Sequence, residues 1–145
     1  MSKQDQKMHI AINEDEIIKE IMLEYPDIHD ALHFDEYNVK EKLEKNQYLY
    51  QQYRLLALKE SHNLKRIEIL MDEYIGQLYD SLKFGDKTLS KTEIEKYYIN
   101  KDEKVVKFKK MYMRQAIRVE TFEAIVKAFD KQTYNMQTYV KNLSL

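Results

Sequence analysis

A chain of 145 residues fits one domain, and its formal net charge of −1 at pH 7 excludes a uniformly basic nucleic-acid coat. Because it contains no cysteine, the chain has no disulfide framework, thiolate zinc site or cysteine nucleophile, as suits a reducing cytosol. Two glycines and one proline are too few for the tight connections of a sandwich, a barrel or a doubly wound sheet, which leaves an all-α fold.

The N-terminal part predicts a flexible start followed by one short helix. Residues 1–12 are expected to be flexible, and they lack the long apolar run of a signal peptide. Asn13 and Glu16 have the form of a capping box, and the amphipathic helix that follows should end near Glu24, before Pro26. Nowhere do 18 apolar residues follow one another, so we expect a soluble, cytoplasmic protein without a membrane partner.

The connector after this helix contains the sequence HDALH, from His29 to His33. Two histidines four residues apart resemble the helical zinc motif of metalloproteases. That motif also needs a glutamate that reaches the metal-bound water and a third protein ligand, so we interpret both histidines as structural or solvent-exposed. The carboxylates single out no acid–base couple and no glycine-rich phosphate cradle occurs, so we predict a non-enzyme without catalytic residue, metal or cofactor.

A long apolar pattern begins at Val39. From Val39 to Tyr74 mostly apolar residues, with the polar Asn46 and Glu60 among them, recur at alternating steps of four and three, which predicts a long helix with a coiled-coil seam. Gly76 and the sequence DSLKFGDKTLSK break this pattern, so residues 77–91 are predicted to form a loop. Ser90 with Glu93 then offers a capping box for a short helix through Tyr97 and Tyr98.

The last helix is predicted to run to the end of the chain. Asn100 and Glu103 repeat the capping signature, and mostly apolar residues, with Gln115 and Thr133 among them, recur at steps of three and four from Val105 to Leu143. Two helices of about 35–40 residues, or about 55 Å, can form an antiparallel hairpin within a single domain. The hairpin leaves apolar residues away from the seam, so we predict a homo-oligomer assembled through the long helices. These residues are Val106, Met113 and Ile117.

The start of the last helix is the basic part of the chain. Residues 1–103 carry 15 Lys+Arg against 22 Asp+Glu, whereas residues 104–145 carry 9 against 3. Helical spacing places four basic residues on one stripe, with two more nearby, a quarter turn from the seam residues Phe108 and Tyr112. The six are Lys107, Lys110, Arg114 and Arg118, with Lys104 and Lys109. Such a stripe could neutralise phosphates along a nucleic-acid strand, or it is a solvated face or pairs with the acidic helix opposite.

Two aromatic residues precede this stripe. Tyr97 and Tyr98 stand in the sequence EIEKYYINK, where an exposed ring could stack on a base. Alternatively, both rings act with Ile94 to dock the short helix onto the hairpin.

The segment IEKYYINKDEKVVKFKKMYMRQAIRVETFEAIVKAFDKQTYNMQTYVKN resembles the C-terminal half of the UvsY family of recombination mediators, from T-even-type and related tailed phages. The order of parts is also similar over residues 14–141, from the acid-rich short helix through the long helix ending in DEYIG to the final helix with TYNMQ. The match depends on spaced positions. They are Tyr74, Gly76, Lys96, Tyr97, Asp102, Lys104, Tyr112 and Tyr134.

The resemblance implies a non-enzymatic protein of DNA recombination and repair that assembles as a ring-like homo-oligomer in the cytoplasm of the host cell. It would bind single-stranded DNA and help load the phage RecA-like recombinase, while displacing the phage single-strand-binding protein. The family carries basic residues in the two turns before its Tyr-x-Gly, whereas Ile67–Glu73 here contains none and Lys65 with Arg66 lies just upstream. The alternative is an oligomeric coiled-coil scaffold or adaptor that does not bind DNA.

Overall fold

The computed structural model describes residues 13–143, which form helices and no β-strand. Two long helices, Val39–Gly85 and Glu103–Leu143, pack against each other as an antiparallel hairpin, with short helices at the N-terminus and before the last helix, as predicted. The elements are α1 (Glu14–Glu24), α2 (Ile28–Ala31), α3 (Val39–Gly85), α4 (Lys91–Glu93), a π-helical turn (Ile94–Ile99) and α5 (Glu103–Leu143). The predicted flexibility of residues 1–12 lies outside the described residues.

The chain divides into two compact units, and each unit contains a part of both long helices. Among the described residues, the three-helix unit, named after its three longer helices α1, α3 and α5, comprises Glu14–Ser61 and residues 117–143, and it also contains the short helix α2. The hairpin-loop unit contains His62–Ala116, with the π-helical turn and the start of α5. The single predicted domain therefore consists of two units, each with its own core.

The core of the three-helix unit is built on the predicted seam of α5. Phe122, Phe129 and Met136 recur every seven residues and are fully buried. The Tyr53 ring of α3 stacks on Phe129, with centroids 5.1 Å apart and planes at 17°. Tyr25, just after α1, meets the Phe122 ring edge-on at 5.6 Å. Helix α1 ends beside Pro26, as predicted, and buries two isoleucines. They are Ile17 and Ile21.

A buried polar contact interrupts this apolar seam. Asn46 of α3 is 1% exposed, and its amide donates to the backbone carbonyl of Phe129 at 3.0 Å and to the hydroxyl of Thr133. The same hydroxyl donates to the Phe129 carbonyl at 3.1 Å. Since a polar residue in a seam is satisfied in only one alignment of the helices, Asn46 specifies the register of α3 against α5 in this unit.

Helix α3 extends farther than its sequence pattern predicts. It continues through Gly76 to Gly85, so the predicted loop over residues 77–91 is wrong for its first nine residues. A glycine inside a helix costs about 1 kcal/mol relative to alanine. Burial offsets this cost, because partly buried residues of the extension pack on the core formed by Ile94, Ile99 and Val105. They are Leu78, Tyr79 and Leu82.

The predicted cap of α4 is confirmed, and the predicted cap of α5 is wrong. The Ser90 hydroxyl accepts a hydrogen bond from the Glu93 backbone N–H at 3.2 Å, as the predicted cap requires. Helix α5 is capped by Asp102, not by Asn100. The Asp102 carboxylate accepts from the backbone N–H groups of Lys104 and Val105 at 3.0 Å each. Asn100 does not cap α5 because its backbone has the helical αR conformation at the end of the π-helical turn, whereas an N-cap residue has non-helical backbone angles.

Candidate nucleic-acid interface

The basic stripe of α5 lies on the outer side of the helix in the hairpin-loop unit. Lys104, Lys107, Lys110 and Arg114 are exposed, whereas Val105 on the same helix is fully buried. The predicted seam residues Phe108 and Tyr112 are half-buried, and the Phe108 ring lies 5.9 Å from the ring of Tyr74 on α3. The structure therefore separates the charged and aromatic side chains onto two faces, as the spacing predicts.

Two lysines of the stripe have uncommitted ammonium groups. Within residues 13–143, the side chains of Lys107 and Lys110 take part in no ion pair and no hydrogen bond. Both side chains stand on the exposed face of a continuous helix. A phosphate can therefore approach either lysine without breaking an existing contact, which is what counterion exchange with a nucleic-acid backbone requires.

Three of the other basic candidates in this unit already have neighbours. The Lys104 ammonium lies 4.8 Å from the centre of the Tyr74 ring, a cation–π contact. Lys109 is half-buried and donates to the side-chain carbonyl of Asn100 at 3.1 Å. On α3, Lys65 pairs with Glu68 at 3.5 Å, and Arg66 is exposed. All these contacts are at or near the surface, so they would compete only weakly with a phosphate.

The seam residue Tyr74, whose ring contacts Lys104, has a shifted phenol pKa. Tyr74 donates its hydroxyl proton to the two carboxylate oxygens of Asp102, at 3.0 and 3.2 Å. Burial of the ring, followed by this hydrogen bond to the carboxylate, raises the pKa of the Tyr74 phenol above its ordinary value. The contact ties α3 to the capping residue of α5, and so holds the start of the basic stripe against the seam.

Arg118, predicted as the end of the stripe, has a different environment in the three-helix unit. Its guanidinium donates to both carboxylate oxygens of Glu60, at 2.8 and 3.2 Å, and to Glu24 at 3.2 Å. The side chains of Arg118 and Glu60 are each 13% exposed. The hydrogen bonds to Glu60 raise the pKa of Arg118 further above its already high value. This is the pairing with the acidic helix that the alternative interpretation predicts, and it favours a structural role for Arg118.

Removing the Glu60 carboxylate should therefore destabilise the protein. Glu60→Ala leaves the largely buried Arg118 with the more exposed Glu24, at an expected cost of about 1–3 kcal/mol in the free energy of unfolding. Urea denaturation followed by circular dichroism measures the loss. The control is Glu41→Ala, which removes an exposed pair with Lys45 and should cost less than about 0.5 kcal/mol. Equal losses would contradict the assignment.

The short helix before α5 ends in a π-helical turn that the sequence pattern did not predict. The backbone N–H of Asn100 donates to the carbonyl of Glu95, five residues earlier, at 3.1 Å. In an α-helix, side chains five residues apart point about 140° apart. The wider turn instead lets Ile94 and Ile99 both face the core, at 0% and 5% exposure. The four residues between them are exposed.

This turn presents aromatic rings to the outside. Tyr97 and Tyr98 are 53% and 45% exposed, so Ile94 and Ile99 dock the turn and the tyrosines do not. The ammonium groups of Lys96 and Lys101 lie 5.5 and 5.6 Å from the centre of the Tyr97 ring. Neither lysine was among the predicted site residues. The position of Lys101, four residues after Tyr97, was the available signal, because residues four apart share a helical face, whereas Lys96 directly precedes Tyr97 and this spacing gives no such signal in an α-helix.

The predicted oligomer contacts lie on α5. Val106 and Ile117 are half-buried, and Met113 is 40% exposed. Met111, which the pattern did not single out, is 50% exposed. Helical spacing places Met113 on the same face of α5 as Val106 and Ile117, whereas Met111 lies about 140° away from Val106. The exposed part of the predicted contact surface is therefore the Met113 side chain, and methionine adapts readily to a partner surface.

The two connector histidines contact each other. The Nδ1 atom of His33 donates to the backbone carbonyl of His29 at 2.6 Å, and their ring centres are 4.2 Å apart. Within residues 13–143, no three His, Asp or Glu side chains are grouped so that they could hold a metal ion. None of the helices described is long and apolar enough to cross a membrane.

No protein-family model matches the sequence, and its comparison with curated proteins and with solved structures finds no match. The resemblance to the recombination mediators therefore stays a prediction.

Proposed function

We propose that the chain binds single-stranded DNA through the hairpin-loop unit and acts as a recombination mediator. The observation that carries the proposal is the pair of exposed, uncommitted lysines on α5, Lys107 and Lys110, in the same unit as the exposed ring of Tyr97. Cationic groups that contact the backbone, together with an aromatic ring for the bases, are the combination used by proteins that bind single strands without sequence preference.

The mediator role is proposed from the family resemblance. In that role the protein would help to load a phage RecA-like recombinase onto DNA covered by a single-strand-binding protein. The chain is close to neutral overall, so one copy should bind weakly. We propose that several copies in a homo-oligomer, ring-like as in the family, bind one strand together and gain affinity through avidity. The exposed side chain of Met113, on the predicted contact face of α5, supports contact between copies.

Reversing the charge of the two uncommitted lysines should weaken DNA binding. For the double variant Lys107→Glu, Lys110→Glu we expect at least about tenfold lower affinity for a labelled oligo-dT, because two phosphate contacts become repulsive. The slope of log affinity against log salt should flatten by about 1.4, at about 0.7 for each lost phosphate contact with a single strand. Fluorescence anisotropy at several salt concentrations measures both quantities, and circular dichroism checks that helicity is kept.

A matched control exists on the same helix. Lys127→Glu with Lys131→Glu makes the same change of charge at two exposed positions of α5 in the three-helix unit. This variant should keep most of the affinity and most of the salt slope. If both double variants lose affinity equally, net charge decides binding and the assigned surface is wrong. If the unchanged protein does not bind oligo-dT even at low salt, the proposed function is wrong.

The second candidate function is an oligomeric scaffold or adaptor that does not bind DNA. The contacts of Arg118 with Glu60 and Glu24 favour it, because they show a basic residue of α5 pairing with acidic residues of the same chain. Light scattering beside the anisotropy experiment separates the two candidates. An oligomer that ignores DNA at low salt supports the scaffold, whereas salt-sensitive binding that prefers the single strand supports the mediator.

A further inference from the structure

We propose that the π-helical turn is a stacking subsite for one unpaired base of the bound strand. The Tyr97 ring would carry the base, and Lys96 and Lys101 would bind the phosphates on either side of it. This inference rests on the proposed function and deepens it, since it assigns single-strand recognition to a place separate from the lysines of α5.

The π-helical turn is anchored at both ends, so it holds the Tyr97 ring in a fixed position. Ile94 and Ile99 anchor both ends of the turn in the core of the hairpin-loop unit, and Leu89 packs against the same cluster. Between these anchors, Tyr97 projects with 53% of its surface exposed. An aromatic ring held on an anchored turn loses little conformational entropy when a base stacks on it. Single π-helical turns occur frequently at functional sites, which is consistent with this assignment.

The charges around the ring suit a nucleotide. The Lys96 and Lys101 ammonium groups lie within 5.6 Å of the centre of the Tyr97 ring, and within residues 13–143 neither lysine forms an ion pair with a carboxylate. Both side chains are exposed and long, so each ammonium can move from the ring to a phosphate when a base covers the ring. The base replaces the cations on the ring, and the phosphates keep the cations nearby.

The subsite would discriminate between single and double strands. Every base has a face that can stack on an aromatic ring, but in a duplex both faces are covered by neighbouring base pairs. The lysines of α5 instead meet phosphates, which both forms of DNA carry. Substitutions in the two surfaces should therefore have different effects. Substitutions in the turn should lower the affinity for single strands only, and substitutions of the α5 lysines should lower the affinity for both forms of DNA.

The test compares Tyr97→Ala with the unchanged protein on labelled oligo-dT and on a duplex of the same length. We expect affinity for oligo-dT to fall about fivefold or more, with unchanged duplex affinity. The conservative variant Tyr97→Phe should keep the affinity of the unchanged protein, because it keeps the ring. The control is Tyr48→Ala, which removes another exposed tyrosine, 70% exposed and in the three-helix unit. Circular dichroism verifies that each variant is folded.

A crosslinking experiment locates the contact directly. Oligo-dU carrying 5-iodouracil is irradiated with the unchanged protein, and the crosslinked peptide is identified by mass spectrometry. The expected product carries the nucleotide on Tyr97. Crosslinks only at other residues would overturn the subsite.

The outcomes distinguish this inference from the proposed function. If Tyr97→Ala binds oligo-dT like the unchanged protein, while charge reversal at Lys107 and Lys110 weakens binding, the subsite is wrong and DNA binding stands. If the phenylalanine variant loses as much affinity as the alanine variant, the hydroxyl group acts and stacking is wrong. If the unchanged protein binds neither DNA form at low salt, the proposed function fails and the subsite fails with it.

Discussion

Replacing Phe129 with alanine should lower the free energy of unfolding by about 3–5 kcal/mol. The ring is fully buried in the three-helix unit and stacks on Tyr53 at 5.1 Å, so its removal loses apolar burial and leaves a cavity between two helices. The backbone carbonyl of Phe129 also accepts the hydrogen bond from Asn46. A helix that shifts to fill the cavity would disturb that contact, so the site has little freedom to collapse.

Urea denaturation followed by circular dichroism, at one fixed protein concentration, measures this loss. The control is Phe84→Ala, which deletes the same side chain near the end of α3, where it is 86% exposed. We expect that variant to lie within about 0.5 kcal/mol of the unchanged protein. If Phe129→Ala also costs less than about 1 kcal/mol, the seam of α5 does not form the core described above.

The spacing of apolar residues was sufficient to predict the hairpin. Phe122, Phe129 and Met136 recur every seven residues, and all three are fully buried. A seam of this kind can be predicted from a sequence because helical geometry alone decides which residues share a face. The capping role of Ser90 was legible for the same reason, since a cap depends on residues three positions apart.

The features that the sequence did not predict depend on packing between distant segments. Gly76 breaks the apolar pattern, but α3 continues because the next residues pack on Ile94, Ile99 and Val105, which come later in the chain. The same core selects the π-helical turn, because only a wider turn buries Ile94 and Ile99 together. The turn then uses Asn100 as its last hydrogen-bond donor and leaves the cap of α5 to Asp102.

The candidate site also combines features that local spacing predicts with features that depend on distant parts of the chain. The exposure of Lys107 and Lys110 follows from helical spacing, and the sequence predicted it. The partners of Arg118 did not follow, because Glu24 and Glu60 are 94 and 58 residues away along the chain. A stripe of like charges on one helix is therefore only an upper bound on the groups available to a ligand. Contacts with other helices decide which members remain available.

Replacing Asn46 with aspartate should cost about 3 kcal/mol or more at neutral pH. Asn46 is 1% exposed, and its amide donates to the Phe129 carbonyl and to the Thr133 hydroxyl. An ionised carboxylate cannot donate to the carbonyl, and it would be buried without a positive partner. The comparison variant is Asn46→Leu. It should cost about 1 kcal/mol or less, because Phe129 keeps the hydrogen bond from the Thr133 hydroxyl and no charge is buried.

The pH dependence distinguishes a buried charge from lost packing. Burial disfavours the ionised form, so the new carboxyl should have a folded-state pKa above the value of about 3.9 that applies to an unfolded chain. At pH values between the unfolded-state pKa and the higher folded-state pKa, the folded state binds more protons than the unfolded state. In this range the stability of the variant falls as the pH rises. The deficit of Asn46→Asp relative to the unchanged protein, measured by urea denaturation, should therefore be smaller near pH 4.5 than near pH 7.5. A deficit that is equal at both pH values would mean that the register of α3 and α5 shifts to expose the carboxylate, and that Asn46 does not hold it.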